Sequence, residues 1–308
     1  MPTHLVVGAG AIGTPLVRRL AERGDIVRVA TRRGTVISGA APFTLDAKDA
    51  AALTSAAHGA DTIVVCSNPP YPAWGVEWPT ITTALIETAA TTGAGIVLMG
   101  NLYGHGPVSE PMTEHTPLAS AEGKGRVRAD SWTRLLAAAD RGVRAVEVRA
   151  SDYFGPGAGR NAHLGSDFFG PLVAGRTAHA VGDVTQPHAW AYLPDVVSTL
   201  VAAIDRDEWG RAWLTPHATH ASRVEIAEEA RRRYGLTGRV RPWNPLLWAG
   251  LTRTVPFLRE VRAMQYQFDS PFVVDSSESE RLLGIGPTPW PEALDATITA
   301  TRDAVRRP

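Results

Sequence analysis

Three glycines near the N-terminus restrict this chain more than any other feature. An apolar run, Leu5-Val6-Val7, leads into Gly8-Ala9-Gly10-Ala11-Ile12-Gly13, and apolar residues then recur at helical spacing (Ile12, Leu16, Leu20, Ala21) as far as Gly24. A strand, a G-x-G-x-x-G turn and a helix in that order form the phosphate-binding corner of a dinucleotide fold. The hexapeptide alone is weak evidence; its place between a strand and a helix is what gives it weight. Gly8 permits the tight turn, Gly10 lets the backbone approach a pyrophosphate, and Gly13 lets helix and strand pack closely. The helix N-terminus, with Ala11 and Ile12, offers N–H donors to the anion.

The first half of the chain alternates short apolar runs with helical patterns, which predicts a parallel sheet wrapped by helices. Strands are expected at 4–7, 26–30, 43–46, 62–66, 95–99 and 143–149, and longer helices at 78–92 and 125–141. A chain of 308 residues can bury a sizeable core, and this length suits one large α/β unit with a smaller one attached. The expected fold is therefore α/β, a Rossmann doubly wound parallel sheet with a smaller, mostly C-terminal α/β substrate domain. The Rossmann unit is expected over 1–165, with 185–212 returning to it, and the smaller unit over 166–184 and 213–308. The stretch 242–268 concentrates Trp243, Leu246, Leu247, Trp248, Phe257, Leu258, Met264, Tyr266 and Phe268. It reads as the core of the smaller unit or as the wall of an apolar substrate pocket.

The end of the second strand speaks to the choice of cofactor. An NAD-binding chain usually places Asp or Glu about 20 residues downstream, where it grips the ribose 2′-hydroxyl. This chain reads Val29-Ala30-Thr31-Arg32-Arg33 instead. Two guanidinium groups without a carboxylate suit a 2′-phosphate, so NADP(H) is expected in preference to NAD(H).

Charge and cysteine content narrow the class further. Lys plus Arg equals Asp plus Glu at 31 each, which argues against nucleic acid, whose readers carry a basic excess. The single cysteine, Cys66, rules out an intramolecular disulfide and disfavours a cysteine-based zinc site. No membrane partner is expected, because no apolar run reaches the roughly 18 residues needed to span a bilayer. A first strand beginning at Thr3 leaves no room for a signal peptide, and a soluble cytoplasmic protein with a small-molecule substrate is the expectation. His217 and His220 stand three apart without a third ligand nearby in sequence, so they read as surface or packing residues and no metal is expected.

Four passages together resemble the extended short-chain dehydrogenase/reductase superfamily, in its NAD-dependent epimerase/dehydratase group. They are the glycine loop; Asn101-Leu102-Tyr103-Gly104; Arg149-Ala150-Ser151-Asp152-Tyr153-Phe154-Gly155-Pro156; and Trp190-Ala191-Tyr192-Leu193-Pro194-Asp195-Val196, followed by Leu283-Gly284-Ile285-Gly286-Pro287-Thr288-Pro289. The resemblance implies that Asp46 lies near the adenine and that Ser67, Asn68 and Pro69 pass along the cofactor. It adds Asn101 to the cofactor site and brings Ala150, Ser151 and Asp152 toward the nicotinamide and substrate. It also implies a homodimer formed through helices 78–92 and 125–141.

The departures from that pattern bear on catalysis. The superfamily's proton donor is a tyrosine four residues before a lysine, helped by Ser or Thr near the end of the fifth strand. Lys124 fits the lysine, but Ser120 holds the tyrosine's place and Met99-Gly100 the serine's. A serine hydroxyl is far less acidic than a phenol. Lys124 would hold the nicotinamide ribose, leaving Tyr103 or Asp152 as proton partner. Sugar-nucleotide epimerases of the group also place an arginine on the diphosphate just before the Trp190 passage, where this chain has His188. Three functions fit: an NADP(H)-dependent oxidoreductase acting on an apolar small molecule, an NAD(P)-dependent epimerase or dehydratase, and a non-catalytic NADP(H)-sensing protein.

Overall fold

The computed structural model describes residues 1–160 and 162–306; residue 161 and the last two residues of the expected smaller unit lie outside it. In chain order the first half comprises β1 (Thr3–Val7), α1 (Gly13–Glu22), β2 (Ile26–Thr31), β3 (Ala40–Thr44), α2 (Ala50–Ala57), β4 (Thr62–Val65), α3 (Trp74–Thr92), β5 (Gly95–Asn101), α4 (Gly123–Ala137) and β6 (Ala145–Ala150). After these come β7 (Asp152–Phe154), α5 (Ser166–Val173), β8 (Thr177–Ala180), β9 (Trp190–Tyr192), α6 (Leu193–Arg206), β10 (Ala212–Leu214), α7 (Arg223–Tyr234) and β11 (Arg239–Pro242). The chain closes with α8 (Pro245–Thr254), α9 (Pro256–Ala263), α10 (Tyr266–Asp269), α11 (Ser277–Leu283) and α12 (Trp290–Arg306).

Seven strands form one parallel sheet in the order β10-β6-β5-β4-β1-β2-β3. The strand order reverses between β1 and β4, and in open sheets of this kind ligands bind beyond the carboxyl ends of the strands at that point. β1, β4 and β6 are buried along their whole length, as strands covered on both faces must be. One face packs under α2, α3 and α4 through Leu53, Trp78, Leu85 and Trp132. The other packs under α1 and α6 through Leu16, Leu20, Val197 and Leu200. The large sheet runs on to Leu214, two residues past the return segment read from sequence.

Boundaries moved where a local rule met a packing demand. β3 is Ala40–Thr44 and not 43–46, and it carries Pro42. A proline is tolerated there because β3 is the sheet's edge. α3 begins at Trp74, a turn earlier than expected at 78, with Pro79 inside it. Burial of both Trp74 and Trp78 offsets the one backbone bond that Pro79 cannot make. α4 starts at Gly123 and its last turn tightens to 3-10 geometry over Ala138–Arg141 before Gly142, at φ +77°.

The remaining elements pack beside the sheet's carboxyl edge. β7 pairs with β9 and β8 with β11, and α5, α7 and α12 enclose Phe154, Phe169, Leu172, Ile226 and Leu294. Asp195 at the start of α6 accepts the Thr288 N–H (2.8 Å) and hydroxyl (2.6 Å). Two passages far apart in sequence are joined by those bonds. Among the described residues no helix is long and apolar enough to cross a membrane.

Candidate active site

The carboxyl ends of β1, β2 and β4 lie side by side, in register at Val7, Ala30 and Val65. Gly8, at φ +109°, packs so closely that a Cβ would stand 2.8 Å from the Ser67 nitrogen. A Cβ on Gly13 would collide with the Gly8 carbonyl, whereas one on Gly10 would meet nothing within 4 Å. The first and third glycines are thus needed by the protein itself, and the second borders open space. α1 has no side-chain cap and no acidic residue in its first turn, so its N-terminal dipole is not neutralised from within. These features fit the pyrophosphate of a dinucleotide.

Beyond β2, the Thr35 N–H donates to the Thr31 hydroxyl at 2.8 Å and fixes the turn that presents Arg32 and Arg33. Both arginines are exposed, and neither makes an ion pair among the described residues. Asp46 follows β3, accepts the Lys48 N–H at 3.0 Å and stands 3.6 Å from the Lys48 ammonium. Ser67, Asn68 and Pro69 follow β4, where the Pro69 carbonyl accepts the Trp74 indole N–H at 3.1 Å. The Asn101 side-chain oxygen is engaged by the Tyr103 N–H at 3.1 Å. That bond leaves its amide as the part free to meet a ligand.

Lys124, in the first turn of α4, is only 7% exposed. Its Nζ lies 2.7 Å from Oε2 of Glu260 on α9 and 4.8 Å from the ring centre of Tyr71. Tyr71 belongs to a 3-10 turn, Tyr71–Ala73, between β4 and α3. Its ring packs edge-on against Trp74 (5.1 Å) and Phe257 (6.1 Å), and Trp74 in turn meets Tyr103 at 6.0 Å. Tyr71 and Tyr103 thus pack against the same indole ring. Burial pushes both phenols above their ordinary range, with neighbouring Asp152 adding to the rise. Both are therefore protonated at neutral pH.

Asp152 opens β7 beside this corner. Burial works to raise its pKa, but His163, His188 and Arg223 together hold it below the usual carboxylate value. His188 is 2% exposed; its Nε2 lies 2.8 Å from Asp152 and 3.4 Å from the Ser151 hydroxyl, and its Nδ1 lies 3.1 Å from the Gln267 carbonyl. The ring is stacked against Phe268 and Phe272. One turn beyond Lys124, Arg128 donates to the Met99 carbonyl at 2.9 Å and reaches Glu147 at 3.4 Å, and Glu147 also holds Arg149 at 2.7 Å. Nε and Nη1 of Arg128 are buried without a partner.

Residues 4–213 match a family model described as NAD dependent epimerase/dehydratase. The chain belongs to that family. Its fold is similar to that of MoeE5 in complex with UDP-glucuronic acid and NAD: TM-score 0.80 at 20% identity, covering 98% of this chain and 99% of the other. UDP-glucose 4-epimerase of Thermotoga maritima with UDP-glucose gives 0.81 at 16%, covering 99% and 100%. A double mutant of DesIV, the dTDP-glucose 4,6-dehydratase of Streptomyces venezuelae with NAD and DAU bound, gives 0.78 at 18%, covering 98% and 97%. Among curated proteins none matches the chain.

In this member of the epimerase/dehydratase family the sequence-derived residues fall into two groups. Gly8, Gly10, Ala11, Ile12, Gly13, Thr31, Arg32, Arg33, Asp46, Ser67, Asn68 and Pro69 gather beyond β1 to β4; Asn101, Lys124, Ala150, Ser151 and Asp152 stand beyond β5 and β6. Tyr103 is linked to Lys124 through Trp74 and Tyr71, and Tyr71 had no sequence signal beyond being a tyrosine in a Pro-rich turn. Glu260 was equally invisible, since it is 136 positions beyond the lysine it pairs with. His188 is not placed as a diphosphate clamp, because both its nitrogens are spent on Asp152 and Gln267. The aromatic stretch 242–268 splits: Met264 and Phe268 are buried in the core, Phe257 reaches the site, and Trp243 and Trp248 stack on each other away from it. His217 is buried with neither ring nitrogen partnered, so of the two readings it packs and is not on the surface.

Proposed function

We propose that this family member is an NADP(H)-dependent oxidoreductase acting on an apolar small molecule, with Tyr71 and Tyr103 as a phenol pair that supplies the proton beside Lys124. The observation that carries the proposal is the contact of Lys124 with the Tyr71 ring, and of Tyr71 and Tyr103 with the same Trp74 ring, in a chain whose usual tyrosine position is Ser120. A bound nicotinamide cofactor supplies or accepts the hydride. Gly8, Gly10 and Gly13 would hold its pyrophosphate, Arg32 and Arg33 a 2′-phosphate, and Lys124 the nicotinamide ribose.

The chain's own groups do the rest. Tyr71 donates to the substrate oxygen, Tyr103 is the nearby phenol that replaces that proton, and the Lys124 ammonium stabilises the developing phenolate. Tyr71, Trp74 and Phe257 offer apolar walls, and His188, occupied by Asp152 and Gln267, is not left to grip a diphosphate. Such walls favour a small carbonyl compound, or its imine, over a sugar nucleotide. A homodimer through the outer faces of α3 and α4 belongs to the same proposal and is read out by sedimentation.

NADPH oxidation against a panel of ketones, enals and imines tests the reading. Turnover on at least one class, lost in Tyr71→Phe and reduced in Tyr103→Phe, is the expected result. Tight NADPH binding with no turnover on any class would favour the sensing protein instead. Turnover of a UDP- or dTDP-sugar would favour the epimerase or dehydratase.

A further inference from the structure

α8 and α9 form a helical hairpin with unusual surface chemistry. Among the described residues, four of the ten large apolar side chains that are exposed lie within residues 246–257: Leu246 at 85%, Leu247 at 51%, Phe257 at 49% and Val255. On α8 the exposed positions Leu246, Gly250 and Arg253 fall at i, i+4 and i+7, a single outward stripe. On α9 the outward side carries Arg259 and Arg262, and Glu260 turns inward to Lys124. Arg239 and Arg241 of β11 are exposed just before the hairpin. The one acidic residue between 239 and 263, Glu260, is paired with Lys124, and five arginines are exposed.

In a chain of zero net charge, a local excess of arginine around protruding leucines is a specific feature. Isolated exposed leucines are ordinary; a cluster rimmed by one sign of charge marks a docking surface. Apolar side chains flanked by arginines match the boundary of an anionic bilayer, where the leucines enter the acyl layer and the guanidinium groups meet the headgroups. Trp243 and Trp248 stack on each other at 6.5 Å, and the Trp248 indole N–H donates to Gln265 at 2.8 Å, tying α8 to the segment after α9.

We propose that the α8–α9 hairpin docks this protein on anionic membrane surfaces. The expectation of no membrane partner rested on the lack of a spanning run, and a hairpin lying in the interface needs none. α9 also packs on the Tyr71 turn through Phe257, so docking sets the Lys124 corner at the lipid boundary.

Flotation of the full chain with phosphatidylcholine vesicles, and with vesicles that also contain phosphatidylglycerol, tests this. The wild type should float only with the second kind, and added salt should release it. Leu246→Ser/Leu247→Ser should remain at the bottom of the gradient. Arg253→Ala/Arg259→Ala should bind roughly 25-fold more weakly, since each arginine near an anionic surface contributes about fivefold. All four positions are exposed, so an unchanged melting temperature is expected and serves as the control. A wild type that never floats overturns the proposal, as do variants that float like it. A dimer in sedimentation that Leu246→Ser/Leu247→Ser splits would also overturn it, giving the patch to a second copy of the chain.

Discussion

Nε2 of His188 stands 2.8 Å from Oδ2 of Asp152, and the same ring's Nδ1 points at the Gln267 carbonyl, 3.1 Å away. A carbonyl only accepts, so Nδ1 must carry a hydrogen. The 2.8 Å contact sets Nε2 against the Asp152 carboxylate. The pair lies against the rings of Phe268 and Phe272, where a charge left alone would be costly.

Asp152→Ala should accordingly cost about 3 kcal/mol of stability in urea unfolding at neutral pH, and Asp152→Asn clearly less, since the amide oxygen can still accept from Nε2. Because the folded pKa of Asp152 is depressed, its contribution is complete above its ordinary value of 3.8 and is lost as pH falls through the lower folded value. Equal stabilities for wild type and Asp152→Ala would show that the pair does not hold the fold.

Arg32 and Arg33 set the cofactor prediction. Fluorescence titration should give NADPH a Kd at least ~10-fold below that of NADH, which needs only ~1.4 kcal/mol. One charge-assisted contact is enough for that. Arg32→Ala/Arg33→Ala should erase the difference while NADH binding changes little; a preference that survives in the variant assigns it elsewhere.

Lys124 and Ser120 make a contrasting pair on one loop and helix. Lys124→Met removes the ammonium beside Tyr71 and should cut turnover by about 100-fold. The Ser120 hydroxyl is buried with no partner, so Ser120→Ala should leave turnover unchanged and stability the same or slightly higher. A catalytic loss in Ser120→Ala would restore the serine as the acid and displace the phenols.

Two buried histidines predict acid sensitivity. Burial, with Arg149 nearby, holds His105 down to about 4, and burial, with His220 and His188, holds His217 down to about 3, against an ordinary 6.5. Below pH 6.5 the unfolded chain takes up protons that the folded chain refuses. Stability therefore falls from about pH 6.5 toward pH 4, each histidine adding a slope of about 1.4 kcal/mol per pH unit. His217→Leu should flatten the urea midpoint over that range, and an unchanged slope would show that the ring is not held neutral.

Much of this architecture was legible because it is local. The Gly8–Gly13 turn and its flanking strand and helix lie within one βα unit, and the fully buried runs of β1, β4 and β6 announce a parallel sheet. Pro42 and Pro79 misled the boundaries, since an edge strand and a helix's early turns tolerate what an interior position does not. The candidate site around Lys124 was legible only as separate residues. Lys124, Tyr103 and Asp152 could be named, but Lys124 is held by Tyr71 and Glu260, placed by turns and helices that no short-range spacing encodes. His188 shows the same limit: its position suggested a missing clamp, and only packing revealed its partner.

Isotope transfer tests the central claim most directly. NADPH carrying deuterium on the transferred face of nicotinamide C4 would be incubated with the ketone, enal and imine panel and the products weighed by mass spectrometry. The account predicts one deuterium bound to carbon in the product of at least one class, formed about 100-fold more slowly when Lys124→Met replaces the wild type. Products without deuterium in every class, from protein shown to bind NADPH, would contradict it.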